Sequence, residues 1–243
     1  MTTTQQHPLA DGTSVAISRD GRHQYWVGEK GPKMRGVTGL LGHVDSDSFG
    51  AGMGWGLKIA REHGGDLDTA LNAPRQATKE AQDVGTQLHE AIDSFISNGT
   101  VDENPLFLAW HAAHRDTDWL GSERLIVHPE MQYGGTADAL SLDGQGNVVL
   151  HDWKTVEPKS WHRHGNSLRK FKDFAQVSAY AHALEGLSSI WVPTKGYITY
   201  VLRDGSEAVV VEADLTLGLQ LFRASRELAL LIKQSANGAT KDG

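Results

Sequence analysis

A short turn between two apolar runs constrains the fold of this 243-residue chain more than any other feature. The turn is Asp143-Gly-Gln-Gly146, which can form a three-residue hairpin loop with a glycine at the left-handed position. In that register Leu140 faces Leu150 and Asp138 faces Asp152, and the alternation of side chains places all four on one face. The hairpin therefore predicts an apolar ladder that ends in two facing carboxylates.

Facing carboxylates repel each other, and like charges paired across strands destabilise a sheet. At about 5 Å and an effective dielectric constant near 20, the repulsion is on the order of 3 kcal/mol. Lys154 lies two residues beyond Asp152 on the same face and can offset part of this energy. A divalent hard cation such as Mg²⁺ or Mn²⁺ can offset more, because it prefers oxygen ligands. The alternative is an exposed strand end with two solvated aspartates and a structural salt bridge.

The period of the apolar residues predicts where helices and strands lie around this hairpin. Helical spacing covers 53–64, 73–98, 106–119, 174–187 and 215–234, and strand-like runs cover 124–132, 136–142, 147–153, 196–203 and 208–211. A loose alternation over 14–27 predicts another hairpin, and residues 1–13 and 236–243 are expected to be flexible ends. The order predicts one α/β domain over 1–243, with a helical part at 37–100 and the core sheet at 120–212.

Composition excludes several kinds of site and partner. The chain has no cysteine, which excludes disulfides, thiolate zinc sites, Cys-ligated iron–sulfur clusters and cysteine nucleophiles. The chain lacks an apolar run of about 18 residues, so no membrane span is predicted. The first residues lack the cationic and apolar regions of a secretory signal, so a cytoplasmic protein is expected. Lys and Arg total 23 against 30 Asp and Glu, a net charge of −7, so a bulk basic field for nucleic acid is missing.

A basic stretch departs from this acidic balance. Its cations are Lys154, Lys159, Arg163, Arg169, Lys170 and Lys172, with Trp161 among them and Glu157 as the acid in the stretch. Such a stretch can bind phosphate groups. A solvated loop is the alternative interpretation.

Two pairs of residues spaced by one helical turn flank the hairpin in the sequence. Gly85 precedes His89 by four residues in the long predicted helix, and Asp93 follows His89 by four. A glycine within a helix costs roughly 1 kcal/mol relative to alanine, which indicates a close approach by another group. Gln176 and Tyr180 repeat the spacing after the basic stretch. Taken singly, these residues would fit a core histidine or the rim of a helix.

Taken in order, four motifs resemble the RecB-like branch of the PD-(D/E)XK nuclease superfamily. They are Gly85-x-x-x-His89, Gly135-Thr-Ala-Asp138, Asp152-Trp-Lys154-Thr155 and Gln176-x-x-x-Tyr180. The chain is most similar to the mitochondrial genome maintenance exonuclease type and related phage exonucleases, over roughly 37–212. Asp93 departs from the family, which usually has Glu there, and Asp152 fills a position that is often Glu elsewhere in the superfamily.

The resemblance implies an αβββαβ core with a mixed central sheet flanked by helices, and a metal-dependent deoxyribonuclease. The implied metal ligands for one or two Mg²⁺ or Mn²⁺ ions are His89, Asp138, Asp152 and the backbone carbonyl of Trp153. Lys154 would hold or polarise the attacking water, so His89, Asp138, Asp152 and Lys154 form the implied catalytic set. The implied DNA contacts are Thr155, Trp161, Arg163, Arg169, Lys170, Gln176 and Tyr180, and the helical part at 37–100 would help enclose a single strand.

The expected activity is exonucleolytic, on single-stranded DNA or on DNA ends, in phage or bacterial recombination, repair or replication. The alternatives are a structure-specific or double-strand endonuclease of the same fold and a catalytically inactive DNA-binding module. A zinc hydrolase built on His111 and His114, or on His162 and His164, is a further alternative, but neither pair has a well-spaced third ligand. The iron–sulfur cluster of some RecB-like relatives cannot form without cysteine.

Overall fold

The computed structural model describes residues 1–42, 67–164 and 167–239. Its strands are β1 (Thr2–Pro8), β2 (Ser14–Asp20), β3 (Tyr25–Val27), β4 (Arg35–Gly36), β5 (Asp118–His128), β6 (Tyr133–Leu142), β7 (Val148–Val156), β8 (Lys195–Leu202) and β9 (Ala208–Glu212). Its helices are α1 (Val37–Leu41), α2 (Leu67–Asn98), α3 (Pro105–Ala113), α4 (Pro158–His164), α5 (Ser167–Gly186) and α6 (Leu215–Ala239). The helix predicted over 53–64 lies outside the described residues.

The N-terminal residues are ordered by a three-stranded antiparallel sheet, β1-β2-β3. The prediction that residues 1–13 are flexible is therefore wrong for β1, which pairs with β2 from Thr2↔Asp20 to Pro8↔Ser14. Ile17 and Tyr25 of this sheet share an apolar cluster with Leu125 and Val127 of β5, and burial of this cluster holds the segment on the core. At the other end α6 extends through Ala239, into the predicted flexible end, and 240–243 lie outside the described residues.

The core is a six-stranded mixed sheet in the order β4-β6-β7-β8-β9, with β5 paired to β6. β5, β6 and β7 pair in antiparallel fashion, whereas β7 and β8 are parallel. The parallel pair is connected by α4 and α5, as parallel neighbours require a crossover. The predicted αβββαβ order and the mixed central sheet flanked by helices are confirmed.

The register of the central hairpin is the predicted one. Leu140 pairs with Leu150 and Leu142 pairs with Val148. Gly146 has a φ of +80°, the left-handed conformation that the loop needs and that glycine adopts without steric cost. This register places the Asp138 and Asp152 positions together at the far end of the ladder.

Helices cover both faces of the sheet and bury its alternating side chains. Leu140 and Leu150 belong to the cluster that contains Ala179 and Ala183 of α5. Ala139 and Trp153, from the opposite face, pack with α2 and α3 in a second cluster. The helix predicted over 106–119 ends at Ala113, because Trp119 belongs to β5, where its ring stacks on Trp110 at 5.7 Å between centroids. Within the described ranges, no helix combines the length and the apolarity that crossing a membrane would require.

Candidate metal and catalytic site

Asp138 lies where the pairing of β6 with β7 ends. The last backbone pair is Ala139↔His151, and beyond it the backbone N–H of Trp153 donates to Oδ2 of Asp138 at 2.7 Å. The carboxylate thus takes over the acceptor role of a strand carbonyl and is fixed in orientation. Its other oxygen, Oδ1, lies 3.6 Å from Nδ1 of His89.

His89 is presented to Asp138 by the packing of α2 against the sheet. Its helical neighbours Leu88 and Ile92 are buried against Trp153, which sets the rotation of the helix, while the His89 side chain stays 30% exposed. One turn earlier, a Cβ at Gly85 would lie 3.7 Å from Oγ1 of Thr155. This is an ordinary van der Waals distance that alanine would also tolerate, so the close approach expected at this glycine is not present.

β5 contributes a carboxylate that sequence reasoning missed. Glu123 lies between the ladder pairs Ser122↔Ala139 and Arg124↔Ala137, opposite Asp138. Possible ligand atoms of His89, Glu123 and Asp138 all lie within 4.8 Å of one another, and no other such group of three occurs in the described part of the chain. Burial, followed by the charge of Asp138, raises the pKa of Glu123 above its ordinary value.

The backbone at Glu123 is left-handed, with a φ of +48°. This conformation costs a residue other than glycine roughly 1–2 kcal/mol and persists only where its surroundings hold it. Gln5 of β1 provides that support, since its amide nitrogen donates to the Glu123 carbonyl at 2.8 Å and its amide oxygen accepts from the N–H of Leu125 at 2.9 Å. In the sequence, the position of a charged residue opposite Asp138 could have indicated Glu123. The supporting role of Gln5 had no sequence signal, because Gln5 is distant in the chain.

Asp152 is completely buried, and its two oxygens have protein partners. Oδ1 accepts a hydrogen bond from Nε2 of Gln176 at 2.9 Å, and Oδ2 pairs with Nζ of Lys154 at 2.5 Å. Burial raises the pKa of Asp152 to about 7, and Asp138 and Asp173 add to this effect against the opposing charge of Lys154. Burial also disfavours the charge of Lys154, but Asp152, Asp138 and Asp173 outweigh it and raise the lysine pKa above its ordinary value.

Gln176 and Tyr180 support Asp152 from α5. Both are buried, and Nε2 of Gln176 lies 3.2 Å from the Tyr180 hydroxyl. A Cβ at Gly135 would collide with the Tyr180 ring, so this glycine lets the ring lie directly on β6. The structure thus shows Gln176 binding the Asp152 carboxylate and Tyr180 accepting a hydrogen bond from Gln176, and the contact of both residues with DNA stays a prediction.

The basic stretch is divided between α4 and α5. Trp161, expected to stack on bases, is half-buried and packs its ring against Tyr200 at 5.0 Å between centroids. Arg163 lies on α4, and Arg169 and Lys170 lie on α5, but their side chains lie outside what the structure describes. The proposed phosphate contacts of this stretch, and the DNA contact of Thr155, stay predictions.

The first histidine pair of the zinc-hydrolase alternative, His111 and His114, lies outside the metal cluster. His114 is buried, its Nε2 lies 2.8 Å from Oγ1 of Thr199, and burial lowers its pKa to about 4. His111 stacks on Phe107 at 5.6 Å between centroids. Both rings therefore serve the aromatic core, and neither belongs to the His89–Glu123–Asp138 group.

His89, Glu123 and Asp138 open into a cleft of about 660 Å³, which Arg19, His23 and Asp93 also line. One imidazole and two carboxylates suit a divalent ion such as Mg²⁺ or Mn²⁺. Of the predicted ligands, His89 and Asp138 are thus brought together, with Glu123 as the third member. Asp152 is adjacent, but its oxygens are engaged by Lys154 and Gln176, and ligation by the Trp153 carbonyl stays a prediction.

Comparison with known proteins finds no matching family model and no matching curated protein. Among solved structures, the chain is similar to SSO0001, at 15% identity and a TM-score of 0.38, over 83% of this chain and 79% of that one. It is also similar to an alkaline exonuclease, LHK-Exo, from Laribacter hongkongensis, at 16% identity and a TM-score of 0.35, over 65% and 86% of the two chains. For the complex of LHK-Exo with dAMP the TM-score is 0.34 at 16% identity, with the same coverage. Likeness at this level carries no argument about activity, which has to come from the site.

Proposed function

We propose that this protein is a metal-dependent DNA exonuclease that hydrolyses phosphodiester bonds. The observation that carries the proposal is the convergence of His89, Glu123 and Asp138 within 4.8 Å, in a cleft beside the Asp152–Lys154 pair. These residues come from α2, β5, β6 and β7, so their meeting is a result of the tertiary fold. The motifs that resemble the RecB-like nucleases supply three of the four elements.

His89, Glu123 and Asp138 would hold one Mg²⁺ or Mn²⁺ ion, and Asp152 could join a second when a cation competes with Lys154. Such an ion, when bound, neutralises charge on the phosphate and lowers the pKa of water. The chain's own residues then orient the substrate and move protons. Lys154 is 27% exposed and held positive by carboxylates, so its ammonium group can donate to a phosphate oxygen as negative charge develops there.

DNA is the proposed substrate because a hard-cation site beside a lysine matches the charge of a phosphodiester. Action on single strands or free ends, and a role in phage or bacterial recombination, repair or replication, follow from the motif resemblance. An endonuclease of the same fold would use the same residues, so the form of the substrate has to separate the two activities.

The test is digestion of end-labelled DNA, single- and double-stranded, linear and covalently closed, with Mg²⁺, Mn²⁺ or EDTA. We expect metal-dependent release of nucleotides from linear DNA and sparing of closed circles. Asp138→Asn should be inactive, whereas Asp118→Asn, an exposed aspartate at the other end of the core strands, should act like wild type. Rapid nicking of circles would indicate an endonuclease instead of an exonuclease. DNA binding without cleavage would indicate an inactive binding module.

A further inference from the structure

A basic groove lies next to the cleft, between the β2–β3 turn and β4. We define the basic groove by its cationic residues Arg22, Lys33 and Arg35, together with His23; its volume is about 300 Å³. All four residues are exposed, and none of the described residues that line the groove carries a carboxylate. On a chain with a net charge of −7, this is a local reversal of sign.

The β2–β3 turn is shaped by Asp20. Its Oδ1 accepts hydrogen bonds from the backbone N–H groups of Arg22 and Gln24, at 2.9 and 3.0 Å, and its Oδ2 pairs with Lys33 at 3.0 Å. The Lys33 side chain is 60% exposed, so this ion pair is solvated and weak. Lys33 can therefore turn from Asp20 to a phosphate at little cost.

The basic groove and the cleft adjoin at His23, which lines both. On the cleft side, Arg19 of β2 donates to Oγ1 of Thr136 at 3.0 Å, two residues from Asp138. Thr136 is neutral, and the described residues include no carboxylate that pairs with the Arg19 guanidinium within salt-bridge distance. Positive charge thus extends from beside the metal cluster, through Arg19 and His23, to the basic groove.

The surface on the other side of the cleft has the opposite charge. Glu90 lines the cleft and also a second depression, where Asp102 is the other charged residue among those that the structure describes. Among the described residues that line this depression there is no lysine or arginine. Because screening at physiological ionic strength limits such effects to roughly 8 Å, these local charges, and not the net charge, determine where a polyanion can lie.

We propose that the basic groove binds the phosphate backbone of the nucleic-acid strand as it leaves the cleft, so that the strand passes His23 and avoids Glu90. The inference rests on the proposed nuclease function and gives the strand a direction across the protein. It also assigns phosphate binding to the N-terminal sheet in preference to the basic stretch on α4 and α5.

The test compares two triple variants that remove the same charge from exposed positions. The groove variant is Arg22→Ala/Lys33→Ala/Arg35→Ala, and the control is Arg115→Ala/Lys195→Ala/Lys233→Ala, with all three residues exposed and outside the cleft and the groove. Affinity for a labelled single-stranded oligonucleotide is measured in Ca²⁺ over a salt series. Removing one cation that binds a phosphate should reduce the slope of log affinity against log salt by about 0.7. For three such cations the slope should therefore fall by about 2 in the groove variant.

We expect the groove variant to bind at least about 10-fold more weakly than the control at low salt, with the same thermal melt. Its cleavage should show a raised KM on long substrates and an unchanged kcat. If wild type cleaves DNA and the groove variant keeps the slope of the control, the groove is not the strand path and this inference alone is overturned. If wild type neither binds nor cleaves DNA, the proposed function is overturned and this inference with it.

Discussion

The two aspartates at the end of the β6–β7 hairpin have very different surroundings, although they lie on neighbouring strands. Asp138 faces the cleft with His89 and Glu123, and in the described part of the chain no lysine or arginine pairs with it. Asp152 is fully buried and pairs with Lys154. The Asp138 side therefore needs a cation from solution, whereas the protein itself supplies the cation on the Asp152 side.

Replacing each aspartate by asparagine should produce the largest loss of cleavage, and the stability of the two variants should distinguish the Asp138 side from the Asp152 side. Asp138→Asn and Asp152→Asn should each lower cleavage by about 10³-fold or more, since the loss of several kcal/mol of charge stabilisation corresponds to that factor. Without metal, Asp138→Asn should melt at or above the wild-type temperature, because repulsion with Glu123 is removed. Asp152→Asn should melt lower, because it leaves Lys154 without its partner.

The matched control for the second variant is Asp152→Asn/Lys154→Met, which removes the charge left unpaired. It should regain most of the stability that Asp152→Asn loses while staying inactive, as measured by thermal melts in EDTA and by cleavage in Mg²⁺. Equal melting of the two single asparagine variants would show that the two sides do not differ as described.

The same contrast governs what could be predicted from sequence. The side chains of Asp138, Asp152 and Lys154 are grouped by the register of one local hairpin, and a turn glycine with alternating apolar residues is enough to predict that register. The placement of the Glu123 side chain depends on the left-handed backbone of Glu123 inside a strand. It also depends on Gln5, more than a hundred residues away in the chain. Periodicity does not encode such contacts, so the N-terminal sheet was predicted in part as a flexible end.

Gln5 offers the second test, on the Asp138 side alone. Gln5→Met keeps the length of the side chain but removes both hydrogen bonds that hold Glu123. Groups that orient metal ligands typically change metal affinity by about 10–100-fold, so Mn²⁺ should bind more weakly by that factor. Gln6→Met is the matched control, since Gln6 is the next residue of β1 and is exposed.

Mn²⁺ affinity can be measured by calorimetry or electron paramagnetic resonance on both variants. Glu123→Gln should weaken binding at least as much as Gln5→Met, and combining the two should add little, because both act on one carboxylate. If Gln5→Met binds Mn²⁺ as tightly as Gln6→Met, then either Glu123 is not a metal ligand or Gln5 does not hold Glu123 in place.

The most gradual expected effect is a pH dependence of stability that originates on the Asp152 side. Burial, Asp138 and Asp173 raise the pKa of Asp152 from 3.8 to about 7 in the folded protein. Between these values the folded state binds more protons than the unfolded state, so the free energy of unfolding falls as pH rises, by at most about 1.4 kcal/mol per pH unit. Buried His7 and His114, whose pKa values are lowered to about 4, act in the opposite direction.

The comparison of wild type with Asp152→Asn, both without metal, isolates this contribution because the histidines are common to both proteins. From pH 4 to pH 7 wild type should lose stability relative to the variant, and above pH 7 the difference should be constant, as measured by urea unfolding at several pH values. The charge of Asp138 contributes to the raised pKa of Asp152. When the same comparison is made in proteins that carry Asp138→Asn, the loss of stability with rising pH should therefore stop at a lower pH. A difference that stays constant from pH 4 to pH 8 would mean that Lys154 neutralises Asp152 fully, and the two sides would then be electrostatically independent.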